Sequence, residues 1–173
     1  MNNIEDGLYG LTYQDKSEKI VNRFIVEIFH SKSQGRTRFG EIRDSNFGEV
    51  ENYFNHGQYG SWSYRNRLLG TPFITFLTNE NGRTYLNNRT MAYHVSTGGI
   101  VKGYRWEGMF AWIDYWGNWG YIRQITQQST QLRLHSPWYK KEIRWTASSA
   151  FDRGANLDTK PWGWAFSLQK RWD

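Results

Sequence analysis

The sequence predicts an all-β protein, an antiparallel barrel of about ten strands with at most one short helix. Three observations lead there. Runs of roughly six to ten residues alternate apolar and polar side chains, the period of a pleated strand. Gly, Asn, Asp or Pro punctuates nearly every run, and no long stretch carries the three-and-four spacing of an amphipathic helix. In a chain of 173 residues, so many short strands hide their unpaired backbone most completely by closing on themselves.

The elements follow in order. Residues 8–13 form a short strand and 20–29 a longer one, with Phe24, Val26 and Ile28 alternating against Arg23, Ile25, Glu27 and Phe29. The chain turns at 31–35 and returns over 36–43. Residues 44–57 are the one helical candidate: Asp44 or Ser45 can cap it, and Phe47, Val50 and Phe54 fall three and four apart. Strands at 62–69 and 72–78 precede Asn79-Glu80-Asn81-Gly82, a strong hairpin signal, with its partner at 83–87. A strand at 91–95 leads to a turn at Ser96-Thr97-Gly98-Gly99. Strands at 100–106 and 109–116 join through Glu107-Gly108. After a Gly-bracketed turn at 117–120 come strands at 121–127, 130–135 and 138–147. A charged loop over 152–161 then feeds a closing strand in which Trp162, Trp164, Phe166 and Leu168 share one face. With no repeat, linker or low-complexity segment, residues 1–173 read as one ligand-binding domain.

Composition narrows the function. The net charge of +6 arises from 22 Lys and Arg against 16 acids. Arginine predominates, and its planar fork grips carboxylates or phosphates at two points. The basic residues are scattered, which argues against a nucleic-acid footprint. Aromatic residues make up 18% of the chain, a surplus that suits a flat ligand. Cysteine is absent, which removes thiolate metal sites and a cysteine nucleophile and favours a reducing compartment. The four histidines lack metal-ligand spacing, so no metal is expected. No phosphate loop or Gly-x-Ser-x-Gly elbow occurs. The acidic first residues and the lack of a long apolar run lead to a cytoplasmic expectation with no membrane partner.

Three clusters are candidate sites. Asp114 shares an alternating face with Phe110, Trp112 and Trp116, where an ionised carboxylate needs a donor such as Arg105, Arg123 or a ligand N–H. Glu107, Asp114, Glu142 and Asp152 are carboxylates near strands, as a glycosidase would require. In Tyr64-Arg65-Asn66-Arg67, two guanidiniums on one strand face would suit a dianionic ligand. Asp152-Arg153, following Phe151, sets an acid and a guanidinium at the edge of the aromatic closing strand beside Trp162.

Tyr64-Arg65-x-Arg67, followed near the end of the chain by Phe151-Asp152-Arg153-Gly154, Asp158-Thr159 and Trp162-Gly163, resembles the T-type phycobiliprotein lyases of the CpcT/CpeT family. The resemblance covers about thirty residues in two motifs; the family's N-terminal helical segment and cysteine-containing segment have no counterpart. It implies a lipocalin-like barrel, or calyx, holding a phycobilin such as phycoerythrobilin or phycocyanobilin. It further implies delivery of the bilin to a cysteine of an apo-phycobiliprotein subunit, making the chain a bilin lyase. On this reading Tyr64, Arg65, Arg67, Asp152 and Arg153 hold the bilin, with Asp152 and Arg153 as the catalytic pair and Trp112, Asp114 and Trp162 as further contacts. The chemistry is compatible: a conjugated plane with two propionates needs aromatic walls, guanidiniums and an acceptor for pyrrole N–H groups. The alternative is a non-enzymatic, lectin-like sugar binder, since aromatic faces also stack on pyranose rings. Which bilin, which acceptor cysteine and whether a homodimer forms are left open.

Overall fold

The computed structural model describes residues 6–33, 55–56, 60–61, 63–64, 67–69, 71–78, 81–118, 122–139, 142–154 and 161–172. The helical candidate at 44–57 lies almost wholly outside them, as do the return strand at 36–43 and Arg65. Every regular element among the described residues is a strand.

The main sheet has seven strands: β1 (Gly7–Gln14) and β2 (Arg23–His30), four long strands, and a last one of nine residues. Small pieces lie between β2 and the long strands: β3 (Asn55–His56), β4 (Gly60–Ser61), β5 (Ser63–Tyr64), β6 (Arg67–Leu68), β7 (Thr75–Thr78) and β8 (Thr84–Asn87). The long strands are β9 (Thr90–Val101), β10 (Tyr104–Tyr115), β11 (Ile125–His135) and β12 (Ile143–Gly154), followed by β13 (Trp162–Lys170). The sheet order is β1-β2-β9-β10-β11-β12-β13. No pairing joins β1 to β13 among the described residues. The all-β, antiparallel expectation therefore holds, with β3-β4 and β5-β6-β7-β8 as separate small sheets.

Several expected turns are strand interior. Residues 96–99 continue β9, and the reversal comes at Lys102 and Gly103, both with positive φ. The glycine pair serves close approach, because a Cβ on Gly99 would overlap the Ile20 carbonyl and one on Gly98 would lie 2.8 Å from the Trp106 carbonyl oxygen. Glu107-Gly108 sits within β10, and the expected break at 128–129 is absent from β11. The opposite correction applies at 62–69: Ser63 pairs with Leu68 and Tyr64 with Arg67, so the segment doubles back. The hairpin signal at 79–82 is correct, since Thr78 pairs with Thr84 and Gly82 takes φ +75°.

The chain divides into two compact units, each assembled from separate segments. The first comprises Met1–Tyr9, Ile28–Ala92 and Ile113–Thr126. Its core is Ile74, Leu77, Leu86, Ala92, Ile113, Tyr115 and Ile125; each such large side chain taken out of water contributes about 1.5–3 kcal/mol. Phe29 and Phe73 pack with ring centroids 5.7 Å apart. Two buried polar side chains there are bonded to backbone: Ser31 Oγ donates to the Asn88 carbonyl at 2.7 Å, and Gly117 N donates to Asn87 Oδ1 at 2.7 Å. The second unit comprises Gly10–Glu27, Tyr93–Trp112 and Gln127–Asp173. It holds the features developed below.

Candidate aromatic trough and polar face

Register fixes what each face of β11–β13 carries, because paired residues on neighbouring strands point the same way. Thr130, Phe151 and Trp162 form one row, Leu132, Ser149 and Trp164 the next, and Leu134, Ala147 and Phe166 the third. Trp145 and Leu168 extend the pattern. The middle strand thus contributes its smallest side chains, Ala147 and Ser149, between leucines on one side and Trp164 and Phe166 on the other. The result is a shallow trough, about 10 Å across from β11 to β13 at two strand spacings. Phe151 and Trp145 stand at its ends. Trp145 stacks on Phe166 at 6.3 Å and meets Tyr104 of β10 at 6.0 Å. Trp162 Nε1 donates to Ser149 Oγ at 2.9 Å, which settles the indole against the strand beside it.

These aromatic side chains are open to solvent rather than buried. Trp164 is 75% exposed, and Leu132, Phe151, Trp162, Phe166 and Leu168 are also exposed. Between Arg153 and Lys170 no charged side chain interrupts these rows. Lys170 Nζ lies 3.7 Å from the Trp172 ring centroid, while Arg153, paired with Gln128, is exposed beyond Phe151.

The other face of the same strands is polar and carries an ion cluster. Glu107 Oε1 receives Arg23 Nη2 at 2.9 Å and Arg105 Nη2 at 3.1 Å, and Oε2 lies 3.6 Å from Arg133 Nη1. Burial alone would raise the Glu107 pKa, but the Arg23 hydrogen bond and the charges of Arg23, Arg105 and His135 outweigh it and hold the carboxyl below its usual value. Beside the cluster, His135 Nδ1 and Thr146 Oγ1 are 2.9 Å apart. Burial lowers the His135 pKa and Arg144, Arg105 and Arg133 lower it further, against the opposing pull of Glu107.

The sequence-predicted residues are distributed as follows. In the first unit, Tyr64 is exposed on β5 and Arg67 belongs to β6. The expectation of two guanidiniums pointing the same way from one strand involves Arg65, which lies outside the described residues; Arg67 pairs with Tyr64 between β6 and β5. Asp114 accepts a 2.7 Å hydrogen bond from Thr126 Oγ1 on the neighbouring strand. That donor was missed because cross-strand register is invisible in a single sequence; Arg105, one of the anticipated partners, is engaged with Glu107. In the second unit, Asp152 and Arg153 belong to β12 rather than to a loop. Consecutive strand residues point to opposite faces, so Arg153 shares the aromatic face with Phe151 and Trp162, whereas Asp152, paired with Ser129, lies on the polar face. Trp112 is partly exposed on β10. Sequence reading passed over the Glu107 cluster, although Arg105-x-Glu107 at strand spacing was a usable signal.

Comparison with protein families, with curated proteins and with solved structures finds no match to this chain.

Proposed function

We propose that this protein binds a linear tetrapyrrole along the aromatic trough and passes it to a cysteine of an apo-phycobiliprotein. The observation that carries the reading is the trough itself: a half-buried floor of Ala147 and Ser149, exposed walls of Trp164, Phe166, Leu132 and Leu134, and an exposed guanidinium, Arg153, past one end. A conjugated plane lies flat on such a floor and stacks against the indole, each aromatic contact contributing about 0.5–1.5 kcal/mol beyond area burial. Arg153 takes a propionate by a charge-assisted hydrogen bond. Asp152, on the other face, is left out of the proposed ligand contacts. Closure into a lipocalin-like calyx, with the aromatic side turned inward around the pigment, belongs to the same proposal.

The chain contains no cysteine, so in this reading the thioether forms on the partner. The partner's thiol adds across the exocyclic ethylidene double bond of the bilin: sulfur bonds one carbon, the thiol proton ends on the tetrapyrrole, and no oxidant is consumed. The lyase contributes position and facial selectivity.

The test is to titrate the protein with phycocyanobilin and with phycoerythrobilin while following the visible spectrum. Saturable sharpening and displacement of the band are expected, weakened roughly tenfold or more by Arg153→Ala. No response to either pigment overturns the reading. Binding to phospholipid vesicles, or to a glycan that bilin does not displace, without a pigment response would assign the aromatic face to a lipid surface or a sugar instead.

A further inference from the structure

The end of the second unit where β12 begins and β13 finishes gathers cations that no acid neutralises. Arg144 Cζ lies 4.9 Å and Arg171 Cζ 4.6 Å from the centroid of the Trp138 ring, so two guanidiniums share one indole. Register and hydrogen bonds hold them there. Arg144 pairs with Gln169 and gives Nη2 to its Oε1 at 2.8 Å, and Arg171 N donates to the Glu142 carbonyl at 2.8 Å, one residue past the Ile143 to Lys170 pair. Lys170 adds a third cation at the same strand ends, on the other face, with Nζ 3.7 Å from the centroid of the Trp172 ring.

None of these three cations forms an ion pair among the described residues, whereas Lys19 is held by Asp15, and Arg23 and Arg105 by Glu107. Glu142, the acid of this stretch, contributes its carbonyl to Arg171 and leaves its exposed carboxylate outside the cluster. Arg144 Nε is buried without a hydrogen-bond partner, so that charge is poorly solvated as well as unpaired. Two like charges on one ring repel, and an incoming carboxylate relieves them both. The surroundings are aromatic and open: Tyr139 is 66% exposed and Trp172 79%. Arginine, tryptophan and tyrosine gathered at one exposed place are the residue types that dominate protein interfaces.

We infer that this end of the sheet docks an acidic peptide segment of a partner protein. Arg144 and Arg171 donate to its carboxylates, and Trp138, Tyr139 and Trp172 supply apolar contact. A planar fork meets a carboxylate at two points, and stacking on Trp138 fixes both forks before the partner arrives, which reduces the freedom lost on binding. A patch of this size suits a weak, salt-sensitive encounter. A single-stranded nucleic acid is the poorer match, because it needs cations tracking along a groove, whereas these three sit together at the ends of one strand pair. Arg144 adjoins Trp145, which closes one end of the trough, and lies nine residues along β12 from Arg153, roughly 30 Å. The inference does not depend on the pigment reading, since the peptide binds without bilin.

The experiment follows fluorescence anisotropy as the whole protein is added to a fluorescein-labelled peptide of alternating glutamate and glycine. Parallel arms use the matching glutamine and glycine peptide and a labelled oligothymidylate, all at physiological ionic strength. Saturable binding of the glutamate peptide is expected, weakening as salt rises, with no binding of the glutamine peptide. Arg171→Gln, exposed at the end of the chain and harmless to folding, should weaken it roughly tenfold, and Arg144→Gln similarly. Arg153→Ala removes a positive charge far beyond the screening distance and should leave peptide affinity unchanged, while Arg171→Gln should leave the bilin titration unchanged, so the two readings fail separately. No saturable response to the glutamate peptide, equal binding of the glutamine peptide, unaltered affinity in Arg171→Gln, or an equal loss in Arg153→Ala overturns the proposal. Tighter binding of oligothymidylate overturns it too and assigns the patch to single-stranded nucleic acid.

Discussion

Replacing Ala147 with leucine is expected to remove most tetrapyrrole binding while leaving the protein folded. Ala147 lies between Leu134 and Phe166 in the floor of the trough. A leucine projects three more carbons into a channel about 10 Å wide. If the ligand is lifted from roughly 100 Å² of floor and wall, then at about 25 cal/mol per Å² the loss is about 2.5 kcal/mol, or roughly 70-fold in Kd. The fold should tolerate the change to within about 0.5 kcal/mol, because the new side chain enters open space beside two apolar neighbours. Ala165→Leu is the control: Ala165 pairs with Ser148 on the opposite face of the same two strands and should leave pigment binding unchanged. The assay is a visible-absorbance titration with phycocyanobilin, with urea unfolding midpoints for each variant. Unaltered affinity in a folded Ala147→Leu protein would place the ligand elsewhere and refute the trough.

Other outcomes follow from the same geometry. Arg153→Ala should weaken bilin binding while Asp152→Asn leaves it unchanged in the same absorbance titration; equal losses would contradict their placement on opposite faces. Gly99→Ala should cost roughly 2–4 kcal/mol in urea unfolding, since its Cβ would meet the Ile20 carbonyl and backbone must move. Stability should fall on acidification in two stages. The folded pKa of His135 is depressed below its ordinary 6.5, so the unfolded chain binds the proton first and stability declines as pH drops from just above 6.5 through the folded value. Glu107, depressed from 4.5, adds a second decline below that point. Urea midpoints against pH should show both, and His135→Gln should flatten the upper one while the lower, set mainly by the Arg23 hydrogen bond and charge, persists.

The strand alternation of the last eighty residues was legible because it depends only on period two: Trp162, Trp164, Phe166 and Leu168 do share a face. The glycines misled. Gly98 and Gly99 read as a turn, but here a missing side chain serves packing, and only the partner's backbone reveals which use applies. The loop assigned to 152–161 began too early because Asp and Arg look like loop residues in isolation, whereas pairing with Ser129 and Gln128 keeps Asp152 and Arg153 in the sheet. The Thr126 to Asp114 bond and the convergence of Arg23 and Arg133 on Glu107 connect residues on different strands. Such contacts arise from register, which a single sequence does not specify where both sheet faces are chemically plausible.

All nine residues of β13 are exposed, and β13 stands last in the sheet order. It has neither proline nor an acidic side chain, and its only charge is Lys170 at the end. Natural sheets usually guard such a margin with inward charges, bulges or a covering segment. Concentrated, pigment-free preparations of this chain should accordingly self-associate margin to margin through strand addition. A lysine at Ser167, placed among the polar side chains, should keep them monodisperse in light scattering without touching the aromatic rows.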